Sequence, residues 1–168
     1  GIRQKRSLAD SHELEYNYQL VEQGFAFPKD SLLRETLELH ADPSQLRKFQ
    51  LTYKNYFVVH PGMAGSAQNW PMQNYQSLIK KLIELHDVVI TGTTSDQAYL
   101  STIESEFKTH PKVKWLVGQA TGSELIAILQ GAKAVVAPST GVLHLAASTG
   151  TPTIGIYSPV RVQQPKRW

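Results

Sequence analysis

From residue 56 onward the chain alternates short apolar runs with longer stretches in which apolar residues recur every three or four positions. The runs at 57–59, 87–90, 113–117, 134–137 and 153–157 are too short for helices and rich in Val and Ile. They read as strands buried on both faces. Between them, Tyr75, Leu78, Ile79, Leu82 and Ile83 keep helical spacing, as do Tyr99, Ile103 and Phe107, and then Leu125, Ile128 and Leu129. A fourth, shorter helix carries His144. Strand then helix, four times over, predicts an α/β fold: a Rossmann-like parallel sheet flanked by helices, with right-handed crossovers. Ligands of such sheets bind at the carboxyl ends of the strands. The loops expected there hold Gly62 and Gly65, Gly92, Gly141 and Pro159.

The first third is patterned differently. Residues 1–10 are polar and basic and predict no element. SHELEYNYQLVEQGF puts Leu14, Tyr18 and Val21 on one helical stripe, with Ser11 as N-cap and Gly24 as the stop. Residues 32–40 fit a helix through Leu33, Leu37 and His40, or a strand through the alternation at 37–39. Asp42-Pro43-Ser44 opens a short helix that runs to Phe49. The expected organisation is a connector and helical arm over 1–50 and a Rossmann-like domain over 51–168. The chain starts without Met and ends without a closing helix, so both ends read as cuts through a longer protein.

Composition narrows the chemistry. Of 168 residues, 41% are hydrophobic and 18% charged, as in ordinary globular domains. There is no cysteine, which excludes disulfides, thiolate catalysis and Cys-ligated zinc. No apolar run nears the roughly 20 residues that span a bilayer, and no signal-peptide pattern opens the chain. A cytoplasmic location is the default. The net charge of +3 comes entirely from residues 61–168, which carry nine basic and six acidic residues. That suits an anionic ligand, whereas nucleic acid calls for a clustered basic stripe that this sequence lacks.

The stretch AVVAPSTGVLHLAASTGTPTIGIYS is the centre of the reading: a buried strand, a Ser139-Thr140-Gly141 turn, a helix and a second buried strand. Such a turn aims backbone N–H groups at an anion, and the helix dipole favours a phosphate there. The same three residues also suit an ordinary N-cap. His144, one helical turn on, is a candidate ligand contact. The Pro61-to-Gly65 loop can cradle an anion with its amides but matches neither GxGxxG nor a Walker loop. His60 closes its strand and reads as structural. Thr91-Gly92-Thr93-Thr94 meets either a ribose or base, or nothing beyond a turn. Arg161, Lys166 and Arg167 are candidate diphosphate cations. No carboxylate pair stands ready as acid and base, and no metal-ligand or Ser-His-Asp spacing is visible. The chain reads as a binding half without a catalytic base.

Three stretches together, VVHPGMAGSAQNWPMQNYQSLIKKL, VVITG and GSELIAILQGAKAVVAPSTGVLHLAASTGTPTIGIYSP, resemble family 9 glycosyltransferases, the ADP-heptose:lipopolysaccharide heptosyltransferases and their relatives. The likeness covers about residues 56–168. It implies the C-terminal half of a GT-B enzyme, binding a nucleotide-sugar donor for inverting transfer without a metal or other cofactor. It also implies that the acceptor site and base belong to an N-terminal domain lacking here, so that this piece alone is inactive. The acceptor is then a glycolipid near the membrane surface, with the protein peripheral to the inner membrane. The family's donor positions carry over to Gly62, Ser139, Thr140, Gly141 and His144, and the expected set is completed by Met63, Gln68 and Gly92. Two departures stand out: Pro138 where the family commonly has Asp, and Gln68-Asn69 where it has a basic residue. ADP-heptose is thus the family default. The other readings are a GT-B-like sugar-nucleotide epimerase and a degenerate binding or regulatory module.

Overall fold

All five apolar runs become strands of one sheet: β1 (Tyr56–Val59), β2 (Asp87–Gly92), β3 (Val113–Val117), β4 (Ala134–Pro138) and β5 (Thr153–Ile156). Every neighbouring pair is parallel, in the order β3-β2-β1-β4-β5. The computed structural model describes residues 4, 8, 10–25, 38–63, 69–160 and 165. It divides into two units, one of Gly1–Thr36 with Tyr157–Trp168 and one of Leu37–Ile156. Among the described residues no helix is long and apolar enough to cross a membrane.

Strand order and handedness together place the helices. The chain steps from β1 to β2 to β3 in one direction, then returns past β1 to β4 and β5 in the other. Right-handed crossovers therefore put α2 (Met72–Leu85) and α3 (Ser101–Phe107) on one face and α4 (Gly122–Gly131) and α5 (Gly141–Ser148) on the other. Side chains alternate accordingly. Val59, Val88, Ile90, Val113, Trp115 and Val117 join Tyr75, Ile79, Ile103 and Phe107 in the core beneath α2 and α3. Tyr56 faces the other way, and its hydroxyl donates to the Ile128 carbonyl of α4 (2.7 Å). Burial raises the Tyr56 phenol's pKa further above its usual value.

Local signals explain the helix ends. Thr121 and Glu124 form a capping box at the start of α4. The last carbonyls of α4 are met by Lys54, whose Nζ donates to Gln130 and Ala132 (2.8 Å each) while its backbone N–H donates to Gly131 (2.6 Å). Lys54 can do both because its φ of 56° turns the chain back on itself. A 3-10 segment at Pro43–Phe49, capped by Asp42, packs on α4 and buries Leu46 and Phe49. The stretch 38–50 thus belongs with the sheet unit, so the arm expected over 1–50 ends earlier than the pattern suggested. In the other unit α1 (Glu13–Phe25) runs one residue past Gly24, and its buried residue is Tyr16, while Leu14 is exposed. The Tyr16 hydroxyl accepts a bond from the Asp10 N–H.

Three further expectations change. The residues after β2 form a 3-10 turn at Thr94–Asp96, and α3 begins only at Ser101. Tyr99 therefore falls before the helix and is exposed rather than inward. β5 is not buried: it is the sheet's edge strand, with Ile154 60% exposed. The stretch 32–37 lies outside the described residues.

Candidate functional site

In a doubly wound sheet the loops part to opposite faces where the strand order reverses, leaving a crevice at the carboxyl ends. Here that point lies between β1 and β4, which pair through Val58 with Val135 and Val59 with Val136. The loop after β1 begins at His60 and contains Gly62 and Met63. The turn after β4 is Ser139-Thr140-Gly141. The two strongest stretches of the sequence therefore flank the switch point.

The turn after β4 is tight. Pro138, the last residue of β4, has no N–H to give to the sheet, and the Ser139 N–H bonds the Ile156 carbonyl instead (3.0 Å). The Thr140 N–H folds back to the Pro138 carbonyl (2.7 Å). Thr140 is the N-cap of α5 by backbone geometry, yet its side chain makes no cap bond. Its hydroxyl oxygen is buried without a hydrogen-bond partner. Among the described residues the N–H groups of Gly141 and Val142 have none either, since the helical bonds to the Thr140 carbonyl begin at Leu143 (3.1 Å) and His144 (3.4 Å). A Cβ at Gly141 would meet nothing within 4 Å among the described residues, so the start of α5 has open space beside it. His144 is exposed in the first turn of α5.

The loop after β1 is held by a buried carboxylate. Asp96 is 5% exposed, and its Oδ2 accepts from the Thr93 N–H (2.8 Å) and the Thr93 hydroxyl (2.6 Å). Gly62 lies directly against it: a Cβ there would stand 2.5 Å from the Asp96 Cγ and Oδ2. Next to it, the His60 N–H bonds the Val136 carbonyl (2.9 Å), and its ring Nδ1 pairs with the Thr91 hydroxyl (2.9 Å) across β1 and β2. His60 is also 5% exposed. Burial pushes its pKa down to about 4, with the nearby Asp96 charge pulling the other way.

Two cavities open beside these loops. The smaller, about 270 Å³, lies on the α4–α5 face; His60, Thr91 and Gly92 form its floor, and Leu116, Leu125 and Val142 wall it. The larger, about 760 Å³, is lined by Met63, Trp70, Met72, Asp96 and Tyr99. Asn69 ties its rim together, donating to the Pro61 carbonyl (2.6 Å) and accepting from the Trp70 N–H (2.7 Å) and the Tyr75 hydroxyl (2.9 Å).

The predicted residues thus separate. Gly62, Ser139, Thr140, Gly141 and His144 stand on the loops of the switch point, Gly92 lines the smaller cavity, and Met63 lines the larger. Gln68, Arg161, Lys166 and Arg167 lie outside the described residues. Sequence reasoning missed Asp96. The signal was present in the Thr93-x-x-Asp96 capping spacing. It also set His60 aside as structural. Among the described residues no three His, Asp or Glu side chains cluster to hold a metal ion.

The model of glycosyltransferase family 9 (heptosyltransferase) matches residues 2–168. A protein of Haemophilus influenzae, named as a candidate glycosyltransferase, is 31% identical over 195 aligned residues, covering 99% of this chain and 51% of that protein. Lipopolysaccharide heptosyltransferase 2 of Escherichia coli is 29% identical over 99 residues, 56% of this chain and 28% of the relative. The solved structure of E. coli ADP-heptose LPS heptosyltransferase II matches with a TM-score of 0.69 at 24% identity, over 83% of this chain and 44% of that one, a likeness of fold. The chain spans about half the length, or less, of the relatives it matches.

Proposed function

The chain belongs to glycosyltransferase family 9, and from that premise we propose that its sheet edge binds the nucleotide-sugar donor of an inverting glycosyltransferase. The product is lipopolysaccharide or another cell-envelope glycan, with ADP-heptose as the family's default donor. One observation carries this reading. At the switch point, the first amides of α5 and the buried Thr140 hydroxyl have no partner among the described residues. Helix-start amides ordinarily turn to water or an anion, but a buried hydroxyl is nearly always bonded, so the unpartnered Thr140 oxygen beside those amides suits a place for ligand oxygens.

A diphosphate seated there brings its nucleoside to the smaller cavity, because Val142 belongs both to the first turn of α5 and to that cavity's wall. Apolar walls with a polar floor suit a flat heterocycle or a ribose. In the transfer itself an acceptor hydroxyl attacks the anomeric carbon as the bond to the diphosphate oxygen breaks. Negative charge gathers on the leaving nucleoside diphosphate, and the Gly141 and Val142 amides with the α5 dipole stabilise it. This step calls on no metal and no other cofactor. The base that takes the acceptor's proton, and the acceptor site, belong to a partner domain of the same protein. The acceptor is a glycolipid met at the cytoplasmic face of the inner membrane.

Calorimetric titration with ADP, UDP, GDP and CDP tests the reading: heat is expected with one of them, and silence with all four overturns it. Gly141→Val adds a side chain where the fold has room. The variant should keep its thermal midpoint and bind the nucleotide at least about tenfold more weakly, the loss of one or two hydrogen bonds. Unchanged affinity would remove α5 from the site.

A further inference from the structure

One buried polar group of the sheet is only half used. His60 is 5% exposed, and its Nδ1 is committed to the Thr91 hydroxyl (2.9 Å). Its other ring nitrogen has no hydrogen-bond partner among the described residues, and the residue lines the floor of the 270 Å³ cavity. Tyr56 and Val58 precede it on the α4–α5 side of β1, and the alternation of the strand delivers His60 to the same side. Thr91 arrives there from β2 and Leu116 from β3. The histidine is thus aimed by the backbone of the central strand, which leaves its ring little freedom to seek another partner.

We propose that His60 is a binding residue for the nucleoside of the donor, its unpartnered ring nitrogen bonding a heteroatom of the base or a ribose hydroxyl at the floor of this cavity. The inference rests on the donor reading above and adds to it the residue that meets the nucleoside. A neutral imidazole fits the task. One ring nitrogen carries the proton and the other a lone pair, and the Thr91 hydroxyl can donate to Nδ1 or accept from it, so the bond holds the ring in place while its other nitrogen can meet either a donor or an acceptor of the ligand. Thr91 thereby acts as a positioning residue through His60. The diphosphate, held at α5, is not touched by this group.

Two substitutions separate the roles of the two nitrogens. His60→Asn places an amide where Nδ1 was and keeps the bond to Thr91, but does not reach the ligand. His60→Gln reaches toward the other nitrogen's position and gives up Thr91. Calorimetry on the full chain, with the nucleoside diphosphate that the unsubstituted protein prefers and with inorganic pyrophosphate, reads both. We expect His60→Asn to bind the nucleoside diphosphate about tenfold more weakly and pyrophosphate within about twofold, with His60→Gln within about threefold for both. Equal nucleotide affinity in His60→Asn and the unsubstituted protein overturns the proposal, as does an equal loss for pyrophosphate. A second measurement needs no variant: the His60 ring nitrogens, followed by NMR, should shift on adding the nucleoside diphosphate and stay still on adding pyrophosphate. A ring signal that ignores the nucleotide also overturns it. If the unsubstituted protein binds none of the four nucleotides, the donor reading fails and His60's assignment falls with it.

Discussion

Among single residues, His60 makes the sharpest statement about pH. Its folded pKa, about 4, lies below the ordinary 6.5 because the ring is buried. Between those values the unfolded chain takes up a proton that the folded one refuses. Stability is therefore complete above about pH 6.5 and declines as pH falls toward 4, at up to about 1.4 kcal/mol per pH unit. Urea midpoints at pH 7 and pH 5 should show the drop, and His60→Gln should flatten it. Glu124 acts in a lower window: bonds from Lys48 and the Thr121 cap hold its carboxyl down to about 2, so its contribution fades only below about 4.5. Gly62 gives a steric counterpart. Gly62→Ala drives a methyl into the Asp96 carboxylate, and we expect about 1–3 kcal/mol of lost stability, as for other overpacked sites, together with weakened nucleotide binding. A thermal midpoint matching that of the unsubstituted protein would mean that the loop yields. The turn at Ser139-Thr140-Gly141 was legible, since a helix start after a buried strand announces itself by residue type. The Gly62–Asp96 approach was not, because residues 34 positions apart come together only once β1 and β2 are paired.

At the level of elements, the strands were read almost to the residue because unbroken Val and Ile runs admit few other structures. The errors fall where tertiary context overrides local pattern. β5 is as apolar as β4 but exposed, since only its place at the end of the strand order distinguishes it. The helical spacing of Tyr99, Ile103 and Phe107 overreached at its start because Thr93 and Asp96 cap a 3-10 turn, which sets Asp96 under Gly62, and α3 begins only at Ser101. α4 shows how closely a helix can be fitted to its surroundings. Gly131, its last residue, is buried, and a Cβ there would stand 2.5 Å from the Tyr56 hydroxyl and 2.8 Å from Leu46 Cδ1. Gly131→Ala should cost about 1–3 kcal/mol by disturbing the Tyr56 bond to Ile128 and the 3-10 segment at once. Thermal denaturation reads the loss, and a stability equal to the parent's would mean that Leu46 and Tyr56 can step aside.

In the sheet unit, the carboxyl edge at the switch point is divided between two stretches of sequence. β1, β2 and β3 with their helices span residues 56–117, whereas β4 and the α5 turn come from 134–148. The fold class was legible because alternation of strands and helices leaves few topologies once crossovers must be right-handed. The strand order was not, because nothing local says which edge β4 joins. That order has a consequence in time. β1 finds β2 across about thirty residues but finds β4 across more than seventy, and closing the longer loop costs more chain entropy. Refolding should accordingly protect the amides of β2 and β3 against hydrogen exchange before those of β4, and nucleotide binding should return only with the last phase. Recovery of binding ahead of β2 and β3 protection would contradict this order. On the donor reading proposed above, the seam between β1 and β4 makes the site a checkpoint: a chain that holds nucleotide is one that has finished folding.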